Sequence, residues 1–213
     1  MLFQLVKKDF LLVKKYVLIM ITMCILLPPY LILRLPEYAG MMGFIFITIY
    51  SVFMLLQYVS LKETQFPKAS AFLCALPYPR EAVVLSRYIF CLIIYFVCCL
   101  FFGIETLVLP HLGAFGFTMP VMLFLVISLI LSIYLPVHYK FGFEKTKIFF
   151  IIIIITSSFV FPQLVKIAGG INLSFLDMLN PAIFLSGVIL FSISILVVSA
   201  IVSMQIYKKV DLL

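Results

Sequence analysis

The sequence predicts an all-α integral membrane protein. It has six transmembrane helices, an amphipathic helix at the N-terminus, a short cytosolic helix between the second and third spans, and a short outer-leaflet hairpin or helix between the fifth and sixth. Three observations carry this. The chain of 213 residues is 66% hydrophobic and only 11% charged, whereas water-soluble domains carry about 25% charged residues. Its apolar residues fall in runs of about 20 without strict alternation, and in hydrocarbon such runs are helices because each backbone N–H and C=O must be paired within the segment. The basic residues behind the net charge of +7 sit at the ends of those runs, which is a topology signal rather than a nucleic-acid surface.

Each element follows in order. In MLFQLVKKDFLLVKKY the lysine pairs recur at seven residues, so Lys7, Lys8, Lys14 and Lys15 share one helical face while Leu2, Phe3, Val6, Phe10, Val13 and Val17 line another. Such a helix lies in the membrane surface with its ammonium groups among anionic headgroups; the alternative is that it is the cytosolic end of the first span. A cleaved signal peptide does not fit, because the basic region reaches Lys15 and no small-residue cleavage site follows a short apolar core. The first span covers about 16–33, and Pro28-Pro29 near its outer end are expected to kink or end it. After an outer loop holding Arg34, Pro36, Glu37 and Gly40, the second span covers about 41–60.

The stretch Leu61 to Ile89 is the one long polar interruption. Lys62-Glu63-Thr64 marks where the second helix leaves the bilayer, Lys68 to Leu76 has the length of two helical turns, and Pro77 ends them. Pro79 sits at a start position for the next helix, with Glu81 in its positive first turn. The third span covers about 82–109, the fourth 119–139, and Lys140, Glu144, Lys145 and Lys147 make the next loop. The fifth, 148–161, is expected to stop at Pro162. The segment 162–181 is apolar yet broken by Lys166, Gly169-Gly170, Asn172, Asp177 and Asn180, which suits a hairpin or short helix in the outer leaflet. The sixth span covers about 182–206. No repeat or linker divides residues 1–213, so they are read as a single membrane domain.

Orientation follows from counting. With six spans, thirteen of the fifteen Lys and Arg residues fall on the side of the N-terminus, the 61–81 stretch, the 140–147 loop and the C-terminus, leaving Arg34 and Lys166 opposite. This positive-inside bias places both termini in the cytoplasm.

Catalytic chemistry is not visible. No Gly is followed by Lys, so there is no phosphate-cradling G-x-x-x-x-G-K-[ST] motif, and no G-x-S-x-G, H-E-x-x-H or paired-Asp pattern lies in or beside a span. The chain is therefore expected not to be an enzyme and to carry no cofactor or metal. Four of the five cysteines, Cys24, Cys91, Cys98 and Cys99, lie inside apolar runs and read as small buried hydrophobes. His111 and His138 are expected in different loops. Glu105 is the one ionisable residue well inside a span; about 34 Å along the third helix, it is either an interfacial carboxylate or a substrate contact. Serines recur at helical spacing, Ser128 and Ser132 in the fourth span and Ser192, Ser199 and Ser203 in the sixth, and read as packing faces or a subunit interface.

The polar stretch has the most specific content. Ala71, Phe72, Leu73, Ala75 and Leu76 make an apolar patch on a short helix between two spans, shaped as a knob for a cleft on another protein or as an interfacial turn. From Glu63 through Leu76-Pro77, Arg80-Glu81, Val83-Val84 and Arg87-Tyr88, the segment resembles one in small six-helix permease subunits of type-2 ABC exporters, the group related to bacitracin-resistance and peptide-toxin exporter permeases. The opening LVKKDFLLVKKY, Asn180-Pro181 and the ending IYKKVDL are similar to that group as well, so the likeness spans nearly the whole chain. Tyr78 and Pro79 stand where the group has a small pair.

The resemblance implies a bacterial multi-pass permease of the cell membrane, paired with a second copy or a sister permease, that exports an amphipathic peptide, antibiotic or lipid-like substrate. A separate cytosolic ABC ATPase would hold the ATP and Mg²⁺. The N-terminal helix, with Lys7, Lys8, Lys14 and Lys15, would be its elbow helix. Glu63, Thr64, Phe66, Ala71, Phe72, Leu73, Leu76, Pro77 and Arg80 would form or flank the coupling helix, and Glu105 would serve as a substrate or outer-gate contact. Two rivals belong to other classes: a substrate-capture component of a vitamin-type importer, and a non-transporting sensor or immunity protein. The first docks through small residues on its first helix, and Tyr16 to Leu33 holds no Ala or Gly.

Overall fold

A computed structural model describes residues 2–34, 40–65, 79–109, 116–168 and 181–209. They form α1 (Leu2–Leu12), α2 (Lys14–Arg34), α3 (Met41–Gln65), α4 (Arg80–Val108), α5 (Thr118–Ala168) and α6 (Pro181–Lys209). Five stretches among these residues are long and apolar enough to cross a membrane: Lys14–Leu33, Gly43–Gln65, Glu81–Val108, Thr118–Ile148 and Ala182–Lys209. The second arm of α5 is helical over the expected fifth span.

The N-terminal helix is separate from the first span. The break is one residue, Val13, which is fully buried while its carbonyl accepts from Tyr16 and Val17 at 2.8 and 2.9 Å. The bend lets α1 lie against the start of α4: Leu5, Val6 and Asp9 are buried, and the Phe10 ring meets Phe90 at 4.7 Å. Lys7, Lys14 and Lys15 are exposed as the lysine face requires, but Lys8 turns partly inward and Phe3 is left exposed.

The central helix is α3, whose Phe44, Val52, Phe53, Leu55, Leu56 and Val59 are buried among the other spans. Its buried hydroxyls are satisfied within the helix, Thr48 donating to Phe44 O at 2.7 Å and Ser60 to Leu56 O at 3.0 Å, the local solution for a polar side chain surrounded by hydrocarbon. It continues past Ser60 to Gln65, so Lys62, Glu63 and Thr64 are helical.

Proline and glycine depart in part from expectation. α2 runs through Pro28 and Pro29 rather than ending there. α5 runs through Pro162 to Ala168, so the helix does not stop at the proline, and His138 lies in this helix instead of a loop. Inside a bundle, a proline's missing N–H is tolerated because other groups can satisfy the freed carbonyl. The expected loop at 140–147 reduces to Gly142, whose φ of 78° and ψ of 176° fall in a region nearly reserved for glycine. Thr146 Oγ1 donates to the Gly142 carbonyl at 2.7 Å across the turn.

Pro136 shows how such a repair works. As an imino acid it cannot donate to the carbonyl of Ser132, four residues earlier, and Ser199 of α6 donates to that carbonyl instead, at 2.9 Å. This spends the one hydroxyl hydrogen of Ser199. Tyr88 of α4 must therefore donate to Ser199 Oγ, at 2.7 Å, and Ser203 to Tyr88 Oη, at 2.9 Å. The serine stripe of the last span is thus internal packing that stitches α4, α5 and α6.

Candidate functional site

The helices bring four charged side chains together where α1, the end of α3 and the start of α4 meet. Lys8 Nζ lies 3.2 Å from Asp9 Oδ1 and 3.3 Å from Glu63 Oε1. Arg87 Nε lies 3.6 Å from Asp9 Oδ2, and Arg87 Nη2 pairs with Glu63 Oε1. The side chains of Asp9 and Arg87 are 1% and 5% exposed, those of Lys8 and Glu63 27% and 30%. Two cations and two anions cancel, which lets the group be buried. Asp9 is held by charge alone, its carboxylate oxygens making no hydrogen bond, while Lys8 hydrogen-bonds Glu63.

Aromatic side chains wall this joint. Tyr134 and His138 of α5 stack with centroids 6.0 Å apart and rings 6° from parallel, and Tyr139 meets Tyr207 of α6 at 5.2 Å. His138 and Tyr139 lie within electrostatic range of both Arg87 and Glu63. At the rim, Glu81 in the first turn of α4 pairs with Lys208 in the last turn of α6 at 2.5 Å. Pro79 precedes α4 in extended conformation, its carbonyl accepting from Ala82 N at 2.8 Å. Among the described residues no three His, Cys, Asp or Glu side chains are grouped to hold a metal ion.

Of the residues singled out from sequence, Glu63 is in the joint. Thr64 is exposed one residue on, its hydroxyl donating to Leu61 O at 2.8 Å. Arg80 opens α4. Phe66, Ala71, Phe72, Leu73, Leu76 and Pro77 lie outside the described residues. Of the four N-terminal lysines only Lys8 enters the joint. Glu105 sits in the last turns of α4, far from it, with both carboxylate oxygens buried and making no hydrogen bond. Asp9 was missed by sequence reasoning. Its signal is faint: it is the one acid in a segment otherwise read for its lysines.

These features define a multi-pass helical membrane subunit with an ionic joint between its helices. Residues 4–208 match the family model described as ABC-2 family transporter protein, and the chain belongs to that family. It is thus the membrane component of an ABC transporter, and membership implies an ABC ATPase subunit as its partner. Comparison with curated proteins and with solved structures gives no match.

Proposed function

We propose that the chain is the permease subunit of an ATP-driven exporter, one transmembrane domain over residues 1–213 with α1 as elbow helix and 63–77 as coupling helix. The observation that carries this reading is the joint itself. Lys8 and Asp9 of α1 meet Glu63 near the end of α3 and Arg87 two turns into α4. Helices α3 and α4 are the two roots of the 66–78 stretch, so a push on that stretch reaches α1, α3 and α4 together. The push comes from ATP-driven closure of the partner ATPase, which holds the ATP and Mg²⁺. This chain, with no phosphate cradle of its own, is no enzyme and needs no cofactor.

The basic ends of the spans put both termini on the cytoplasmic side of a bacterial cell membrane, and the second arm of α5 supplies the sixth crossing. A second copy or a sister permease completes the pathway. Its cargo is amphipathic, a peptide, antibiotic or lipid-like molecule of the kind handled by the bacitracin-resistance and peptide-toxin exporters that the sequence resembles. Glu105, near the outer end, contacts cargo or gates its exit.

Copurification with an ABC ATPase, followed by a screen for substrate-stimulated ATP hydrolysis in lipid, tests the reading, and the absence of any such partner would overturn it. Phe72→Asp or Leu73→Pro is expected to weaken ATPase association and abolish transport while leaving membrane insertion intact. Unchanged association in both variants would sink the docking role of the 63–77 helix.

A further inference from the structure

At the end of the bundle remote from the joint, three helices enclose a lateral groove of ≈ 800 Å³, within the ~300–1,000 Å³ of small-molecule sites. Tyr95, Cys99 and Gly103 of α4, Phe117 just before α5, Phe124 of α5 and Ile193 of α6 line it. The hollow has a sequence cause. Cys99 and Gly103 stand one helical turn apart with Thr106 the next turn on, a stripe of small residues between the larger Phe96, Leu100 and Leu107.

Among the described residues the wall carries no charge, and its Tyr95 and Thr106 hydroxyls donate within the protein. Tyr95 donates to the carbonyl of Pro120 at 2.5 Å, and Thr106 donates to the Gly103 carbonyl at 2.9 Å. A headgroup or a peptide backbone entering here would lose its water and find no replacement partner; a hydrocarbon chain loses nothing.

Length agrees with that chemistry. The α4 wall runs from Tyr95 to Leu107, about 18 Å at 1.5 Å per residue, close to the ~15 Å that one leaflet contributes to the hydrocarbon core. Leu107 and Phe117 at the rim are 84% and 86% exposed, so the groove opens towards the surrounding membrane.

We propose that this groove seats one acyl chain of an outer-leaflet phospholipid, a wedge held between α4, α5 and α6. The inference rests on membrane embedding and on the proposed orientation, and is independent of the exporter reading. The test reconstitutes the full chain in vesicles whose phosphatidylglycerol carries a photoreactive diazirine midway along one acyl chain, then maps the adducts by peptide mass spectrometry. Adducts at Cys99, Gly103 and Phe124 are expected several-fold above those at Leu18 and Leu26, which face outward on α2 and report bulk lipid contact. Gly103→Phe fills the groove and is expected to remove its adducts while leaving those on α2.

Groove labelling no higher than at Leu18 and Leu26, or unchanged in the filled variant, overturns the proposal. So does efficient Cys99–Cys99 cross-linking between two copies, which would make the groove a protein interface. If Gly103→Phe fails to insert, the ratio of groove to α2 labelling in the unaltered chain decides.

Discussion

Arg87 and Glu105 occupy the same face of α4, eighteen residues and about five turns apart, yet they are treated in opposite ways. Arg87 is packed between Asp9 and Glu63, and its charge is compensated. Glu105 has both oxygens buried and makes no hydrogen bond. One end of the helix spends its charge on holding neighbouring elements together, and the other holds a carboxyl that bonds to no neighbour. Partners rather than burial separate the two: Arg87 faces two carboxylates, whereas Glu105 has no hydrogen-bond partner.

The most severe way to break this comparison is to remove Arg87. Arg87→Ala leaves Asp9 and Glu63 facing only Lys8, and breaking a buried pair in this way costs about 3–5 kcal/mol. The expected result is a marked drop in thermal melting in detergent, partly restored by the exchanged pair Asp9→Arg with Arg87→Asp. A melting temperature indifferent to Arg87→Ala would show that the joint is not structural.

A smaller effect is expected from Ser199→Ala. It leaves the Ser132 carbonyl without its donor opposite Pro136 and removes the acceptor for Tyr88. Interhelical hydrogen bonds in membranes average about 0.6 kcal/mol and reach about 1.7 kcal/mol, so the melting shift falls in that range, with Ser199→Thr expected to retain most of the stability.

The smallest is Glu105→Gln. Neutralising an unpaired buried carboxylate removes no partner, so melting is expected to stay the same or rise slightly, while transport or substrate-stimulated hydrolysis changes. If Glu105→Gln destabilises as Arg87→Ala does, the two ends of α4 are alike after all and the contrast fails.

Much of the fold was legible because hydrocarbon imposes so few solutions. Apolar runs bounded by Lys and Arg had to be helices, and the bounds of the first, third and sixth spans came within three residues. What composition could not reveal was where the chain passes through a helix breaker. Pro162 read as a stop, and Pro28-Pro29 as a kink or an end, because local rules count the lost N–H, whereas at Pro136 another helix supplies the donor. Gly142 read as one residue of a loop but is the whole of the turn. At the joint, Glu63 was visible because it interrupts an apolar run. Asp9 was not, because a positive-inside count treats the N-terminal segment as a block of lysines, and its partner Arg87 is 78 positions away. Only the approach of α1 to α4 converts those two charges into a pair.

The Ser132–Ser199 bond has a consequence for how such chains vary. A proline at 136 creates a demand that no residue of its own helix meets, and the demand is answered from another helix, 63 positions downstream. The two sites therefore form a linked pair of letters. Where a sequence restores an ordinary residue at 136, the hydroxyl at 199 becomes dispensable; where the proline stays, an alanine at 199 should be rare.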